Sequence, residues 1–313
     1  MKLRREWPCL AALLLLAFAM FALAPSFYSR DNLRDIMLSN APLLLVACGM
    51  TFVIIVAQID ISVGSLFAVT ALACGALAKD GCPMALLPFV TLLMGAALGA
   101  VNAGFVAFIG VPSIVVTLAT MVIWRETLRW VSGGAWIEGL PSNFQWLGLG
   151  QSNGRILIVV SSLAVFVFLA WASRNLWLAR AVFATGSDRE AARVAGVPVQ
   201  SIVFWVFVLM GALTGLASFL NAIRFSDVPA NSGMNLELKA IAAVVVGGTP
   251  ITGGKGTLLG TFLGVALLAC LGPALVYLGI SPFWEKAIQG AIILFTVPLE
   301  AFLSHRRQRE ATI

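Results

Sequence analysis

Long apolar stretches separated by short polar or glycine- and proline-bearing segments recur along the chain, at about 7–24, 41–58, 61–78, 83–109, 112–130, 155–173, 199–223, 237–250, 256–279 and 283–303. Most reach the length, about 20 residues, that a helix needs to cross a hydrocarbon core about 30 Å thick. A membrane barrel predicts instead segments of about ten residues with a period of two, whereas Ala11 to Ala24 is apolar without interruption. Helices satisfy their own backbone groups in lipid and irregular chain does not. The pattern therefore predicts an all-α polytopic membrane protein with about ten transmembrane helices, organised as one domain over 1–313. The run 237–250 is short for a crossing and fits a re-entrant segment as well as a span.

One polar island interrupts this pattern, TGSDREAARVAGVP from Thr185 to Pro198. Ser187 followed three residues later by Glu190 reads as a capping box, in which each side chain takes an orphan amide at a helix start. Gly196 suits a left-handed helix stop and Pro198 cannot continue the helix. The expected helix runs from Asp188 to about Ala195, too short to be stable unless it rests on something. Asp188, Ala191, Ala192 and Ala195 fall along one side, and Arg189 and Arg193 stand one turn apart on another. Small residues permit close approach of a partner and the charges fix orientation; the plainer alternative is a solvated connecting loop.

Composition supports the membrane reading, with 60% hydrophobic and 11% charged residues and a mean hydropathy of +0.98. The net charge is +6, but the cations gather at Lys2, Arg4 and Arg5, at Arg174, Arg180, Arg189 and Arg193, and at Arg306, Arg307 and Arg309. By the positive-inside rule all three clusters are cytoplasmic. Ten spans return the chain to its starting side, and six precede Arg174, so both termini and the loop 174–198 are expected in the cytosol. No basic surface interleaved with aromatics argues for nucleic acid. Lys2, Arg4 and Arg5 before the first apolar run also suit a signal peptide, with Ala22-Leu23-Ala24 as a cleavage site. Pro25 disfavours cleavage, and the length of the run suits an uncleaved first span better. Cys9, Cys48, Cys74, Cys82 and Cys270 show no metal-ligand spacing. His305 lies in the basic tail, and no nucleophile–base–acid arrangement marks a membrane enzyme.

Within the apolar pattern a few polar residues stand out. Asp60 lies between two runs, with Ser62 and Gly64 following. A carboxylate in hydrocarbon faces a cavity or partner, or else Asp60 or Ser62 caps the third span; Gly64 lets the cap pack closely against a neighbour. Asn102, near Gly95, Gly99 and Gly104, either lines a solute path or bridges helices. Thr117 and Thr120 bond back to their own helix, and Trp124 and Trp130 read as interfacial anchors. The stretch GGTPITGGKGT fails as a phosphate loop: Thr249 stands where the first glycine belongs and Gly256 where the hydroxyl belongs. Its glycines, Gly253 and Gly254 among them, suit a tight hairpin between spans, with Lys255 facing water. No nucleotide site is expected in this chain.

Glu190 to Gly196, EAARVAG, resembles the Glu-Ala-Ala-x-x-x-Gly loop of ATP-binding-cassette importer permeases. QIDISVGS (Gln58–Ser65), NAGFVAFIGVPSIVVTLATM (Asn102–Met121) and AIAAVVVGGTPITGGKGTLLGT (Ala240–Thr261) are similar to regions of the ribose/xylose/arabinose/galactoside-type permeases. The resemblance runs over about 43–302, with Ala57-Gln58 where that family often has Gly-Gly. It implies a transmembrane permease subunit for a monosaccharide or sugar-like solute in a bacterial inner membrane, embedded in lipid. It also implies a periplasmic sugar-binding protein, a second permease, identical or homologous, and separate ATPase subunits that hold ATP and Mg. The residues it places in ATPase coupling are Ser187, Asp188, Arg189, Glu190, Ala191, Ala192, Arg193 and Gly196. Asp60, Ser62, Gly64, Asn102, Gly253 and Gly254 belong to its path or structural signatures. A self-contained channel or secondary carrier, built on broken helices near 60–65 and 247–256, is the alternative.

Overall fold

Every apolar run that lies in described residues is helical in the computed structural model, which describes residues 6–292 and 294. The helices are α1 (Trp7–Leu23), α2 (Arg30–Ile55), α3 (Val63–Lys79), α4 (Leu87–Ala103), α5 (Ser113–Ser132), α6 (Gln151–Asn175), α7 (Trp177–Ser187), α8 (Arg189–Val194), α9 (Val199–Ala222), α10 (Leu236–Val246) and α11 (Leu258–Tyr277). Backbone over 284–292 is helical again. Among the described residues five helices are long and apolar enough to cross a membrane: α2, α4 with its π-helical continuation Gly104–Ile109, α6, α9 and α11. Among the described residues the one β-type pairing is an isolated bridge between Ile137 and Val228. Lys2, Arg4, Arg5, Arg306, Arg307 and Arg309, and the latter part of the expected span 283–303, lie outside the described residues.

Two helices depart from the expected pattern. α2 begins at Arg30, well before the expected boundary near 41, and carries Pro42 in its interior. The polar segment 30–40 reads as a loop because charges and a proline stand together. In the fold it is a helical extension that buries Ile36 and Leu38 and exposes most of its other residues, and Asn40 donates its side-chain amide to the Ile36 carbonyl at 2.9 Å near the proline. α7 occupies the first half of what reads as a loop, with Ala179, Ala181, Val182 and Thr185 buried.

α2 is the hub. From Ala41 to Ile55 every residue is buried, and it packs against α6, α9, α10 and α11. Around it, α4 and α9 touch backbone to backbone. A Cβ on Gly211 would stand 2.1 Å from the Gly95 carbonyl oxygen, and one on Gly99 would stand 2.4 Å from that of Phe207. Gly95 and Gly99 on one helix thus face Gly211 and Gly215 on the other, a doubled small-xxx-small contact of the kind that lets helices associate in lipid. Side-chain hydroxyls add interhelical bonds, Thr51 to Thr261 at 2.6 Å and Thr70 to Ser218 at 2.8 Å.

α10 has 11 residues and covers about 16 Å, too little for a crossing on its own. Its C-terminal Gly247 lies against Gly260 at the start of α11, while Glu237 in its first turn reaches Gly64. α10 therefore begins partway along the bundle, and irregular chain from the end of α9 leads into it. Such chain at membrane depth is tolerated where protein covers it.

Candidate functional site

α8 is a six-residue helix whose two ends are both capped. The capping box expected at Ser187 and Glu190 does not form, because α7 continues through Ser187. Asp188 alone turns extended (φ −158°, ψ 109°) and becomes the N-cap. Its carboxylate accepts from the amides of Glu190 at 2.9 Å and Ala191 at 3.0 Å. Glu190 then sits one position too early to reach back, and it pairs instead with Arg193 at 2.7 Å. At the other end Gly196 has φ +83°. The amides of Gly196 and Val197 bond to the carbonyls of Arg193 and Ala192, each at 3.0 Å, which is the Schellman arrangement.

The small residues of α8 do not share one face as their spacing suggests. Ala192 turns inward and is buried, whereas Ala191, Arg193, Val194 and Ala195 are exposed. Val194 is 80% exposed, an apolar tip on a polar, projecting turn. Arg189 points the other way and donates to the Val56 carbonyl at 3.3 Å.

That bond opens onto the feature the sequence did not mark, the C-terminus of α2. A helix leaves its last four carbonyls without intrahelical partners. Here the carbonyls of Phe52, Ile54 and Val53 accept from Val56, Ala57 and Gln58 in a tight closing turn. The Ile55 carbonyl accepts from the Gly254 amide at 2.8 Å, and the Val56 carbonyl accepts from Arg189. Two loops distant in sequence therefore complete one helix end. Contact is closest at Gly186, where a Cβ would stand 1.6 Å from the Ile55 oxygen, and at Gly254, where it would stand 2.7 Å from Ser187 Oγ. Gly253 abuts Ala57 in the same way, and Ser187 Oγ donates to the Gly254 carbonyl at 3.3 Å. The hairpin that carries Gly253 and Gly254 is thus part of a junction, with Lys255 exposed at its rim.

Immediately beyond the junction the chain runs as a non-helical segment into the bundle, and three of the singled-out polar residues come together there. Asp60 Oδ1 accepts from the Ser62 amide at 2.9 Å and its hydroxyl at 2.6 Å. Asn102 of α4 donates to Ser62 Oγ at 2.8 Å. All three residues are fully buried. Ser62 is the N-cap of α3 but makes no side-chain capping bond; Asp60 holds Ser62 rather than the amides of the first turn. Ile59 donates its amide to Ser113 of α5 at 3.2 Å. Asn102 thus bridges helices here, and the break links α3, α4 and α5. Gly64 follows, close-packed on Glu237 and on the Gly233 carbonyl.

The arrangement is a linkage from an exposed helix to the buried break. α8 is attached to the end of α2, the end of α2 leads into the Asp60 segment, and that segment joins three further helices. Sequence reasoning found α8, Asp60 and Asn102. It missed Gly186 and the carbonyls of Ile55 and Val56, because backbone acceptors carry no residue signature; small residues at 186, 253 and 254 are the one trace.

A family described as "Branched-chain amino acid transport system / permease component" matches residues 32–297. Three similar proteins are named autoinducer 2 import system permease protein LsrC. That of Salmonella typhi is 32% identical over 310 residues, covering 97% of this chain and 88% of the relative. That of Escherichia coli O157:H7 is 34% identical over 290 residues, covering 93% and 85%. That of Enterobacter sp. (strain 638) is 33% identical over 299 residues, covering 96% and 87%.

Proposed function

This chain belongs to the branched-chain amino acid transport system / permease component family, and from that premise we propose how its parts act and what it carries. It is the multi-pass permease subunit of an ATP-binding-cassette import system, moving solute across a membrane while a separate subunit hydrolyses ATP. The family description and the names of the relatives give different cargoes, so membership fixes the machine rather than the solute. The proposed cargo is a small neutral sugar or sugar-like solute. The likeness of Gln58–Ser65 and Ala240–Thr261 to sugar permeases supports it, as do the import of autoinducer 2 named for the relatives and the scarcity of charge in the helices.

In this reading a periplasmic binding protein delivers the solute, two permeases form the pathway in a bacterial inner membrane, and ATP with Mg binds the ATPase partners. Ten crossings put both termini in the cytosol. The course of 223–247 supports that parity, since α9 carries the chain away from the α8 end and Gly247 lies back beside Gly260 at it. The ATPase engages α8. The observation that carries this is the double-capped helix presenting Ala191, Val194 and Ala195 outward while Arg189 and Gly186 tie it to α2. Vesicles holding the permease, its ATPase and its binding protein should take up solute only with ATP. Uptake by this chain alone would replace the reading with a self-contained carrier.

A further inference from the structure

At the end of the bundle opposite α8, the last turns of α5 and the loops 133–141 and 224–235 surround a cavity of about 410 Å³. Arg125, Arg129, Gly133, Trp136, Asn231 and Met234 line it. Its walls are fixed. Ile137 and Val228 exchange both backbone hydrogen bonds at 3.0 Å, and their side chains lie against Gly75 of α3. Arg125 donates to the Ser232 carbonyl at 3.1 Å, tying α5 to the second loop.

Charge and shape narrow the occupant. Arg129 pairs with Glu126 at 2.7 Å, and Glu237 lies near enough to Arg125 for their charges to interact. Two cations are thus offset by two carboxylates, which disfavours a simple anion trap and leaves guanidinium N–H groups and an amide as directional donors. Trp136 is 56% exposed and offers an apolar surface beside those donors. The volume falls within the range of small-molecule sites, which pair apolar area with a few placed polar groups. Met234 of its lining stands two residues before α10, whose Glu237 meets Gly64 just past the Asp60–Ser62 break.

We infer that this cavity is a subsite for a neutral, ring-bearing polyol, one ring face lying on Trp136 and its hydroxyl oxygens accepting from Arg125, Arg129 and Asn231. The inference rests on the importer reading and locates where solute first meets the permease. The test is saturation-transfer NMR on the full permease–ATPase complex in lipid nanodiscs, with D-ribose, D-galactose and D-ribose 5-phosphate as probes. Saturation reaches the ring protons of a neutral sugar, drops about five- to tenfold in Trp136→Ala, the scale of one lost aromatic contact, and returns in Trp136→Phe. Arg129→Gln weakens it in the same assay, and assembly with the ATPase confirms that each variant is folded.

Absence of transfer from both neutral sugars overturns the subsite. So does an unchanged signal in Trp136→Ala, or tighter binding of the phosphate ester than of ribose. If the variants weaken docking of the binding protein and leave the sugar signal intact, the cavity receives a protein surface and the inference again fails. ATP-dependent uptake measured in parallel separates the two readings. Intact uptake without sugar signal removes the subsite alone, whereas uptake without the ATPase removes the importer reading whatever the signal.

Discussion

Replacing Gly186 with alanine tests the junction directly. The new Cβ would fall 1.6 Å from the Ile55 oxygen and 2.8 Å from the Gly254 nitrogen. A carbon and a carbonyl oxygen ordinarily approach to about 3.3 Å, so α7 and the end of α2 must part by roughly 1.7 Å. Overpacking of that size costs about 1–3 kcal/mol, and loss of the Gly254-to-Ile55 hydrogen bond adds about 1 kcal/mol. Alanine favours the helix by up to about 1 kcal/mol over glycine, which offsets part of this. The net, about 1–3 kcal/mol, falls on one contact and leaves the membrane core of α2, α4 and α9 untouched. The surface presented by Ala191, Val194 and Ala195 is also unchanged. In vesicles containing the permease, ATPase and binding protein, Gly186→Ala should retain ATPase assembly while solute imported per ATP falls about tenfold, the equivalent of about 1.4 kcal/mol. Wild-type coupling together with wild-type thermal stability would refute the close packing. Loss of ATPase assembly would show that the contact shapes α8 rather than transmitting its motion.

Other substitutions separate the remaining statements. Asp188→Ala should lower stability by about 1 kcal/mol and Ser187→Ala by clearly less, read from thermal unfolding of the detergent-solubilised protein; equal effects would restore the capping box. Ala57 holds φ +56°, a left-handed conformation costing a residue with a Cβ about 1–2 kcal/mol. Ala57→Gly should therefore raise the unfolding temperature, and a decrease would deny the strained closing turn. Gly211→Val should abolish assembly by forcing α4 from α9, whereas Gly196→Ala, at φ +83°, should cost about 1 kcal/mol in α8 alone; insertion and pull-down of the ATPase distinguish the two.

The membrane helices were legible because run length and apolarity are local properties, and the isolated break at Asp60 was legible because a carboxylate between two such runs has few destinations. α7 was not read, although Ala179, Val182 and Thr185 repeat at helical spacing, because its mixed composition merges with the polar island after it. The faces of α8 were misjudged for a related reason: small size shows that a partner can come close, not which side the protein already occupies. Glycine positions were informative only once paired. Gly95 and Gly99 announced a close contact, but their partners Gly211 and Gly215 stand more than a hundred residues away. The departure from Gly-Gly at Ala57-Gln58 acquires a meaning from the left-handed turn at Ala57.

If α8 drives the buried break through the end of α2, then Arg189 and Asn102 belong to one linkage although they never touch. Arg189 holds the Val56 carbonyl, and four residues further along the chain Asp60 holds Ser62, whose hydroxyl accepts from Asn102. Spatial intermediacy is not evidence of coupling, so the statement needs a double-mutant cycle. Arg189→Ala releases the α2 end, and Asn102→Ala removes the amide that joins Ser62 to α4. Each alone should lower solute imported per ATP. For independent sites the two effects add within about 0.3–0.5 kcal/mol, whereas sites in one network deviate by about 0.5–3 kcal/mol. The linkage requires the double variant to be little worse than the more damaging single one, because a transmission cut at one point loses nothing more at the second. Full additivity, with ATPase assembly intact in all three variants, would mean that α8 and the Asp60 segment act separately and that motion reaches the pathway by another route, with α9, which follows directly on α8 through Pro198, as the next element to test.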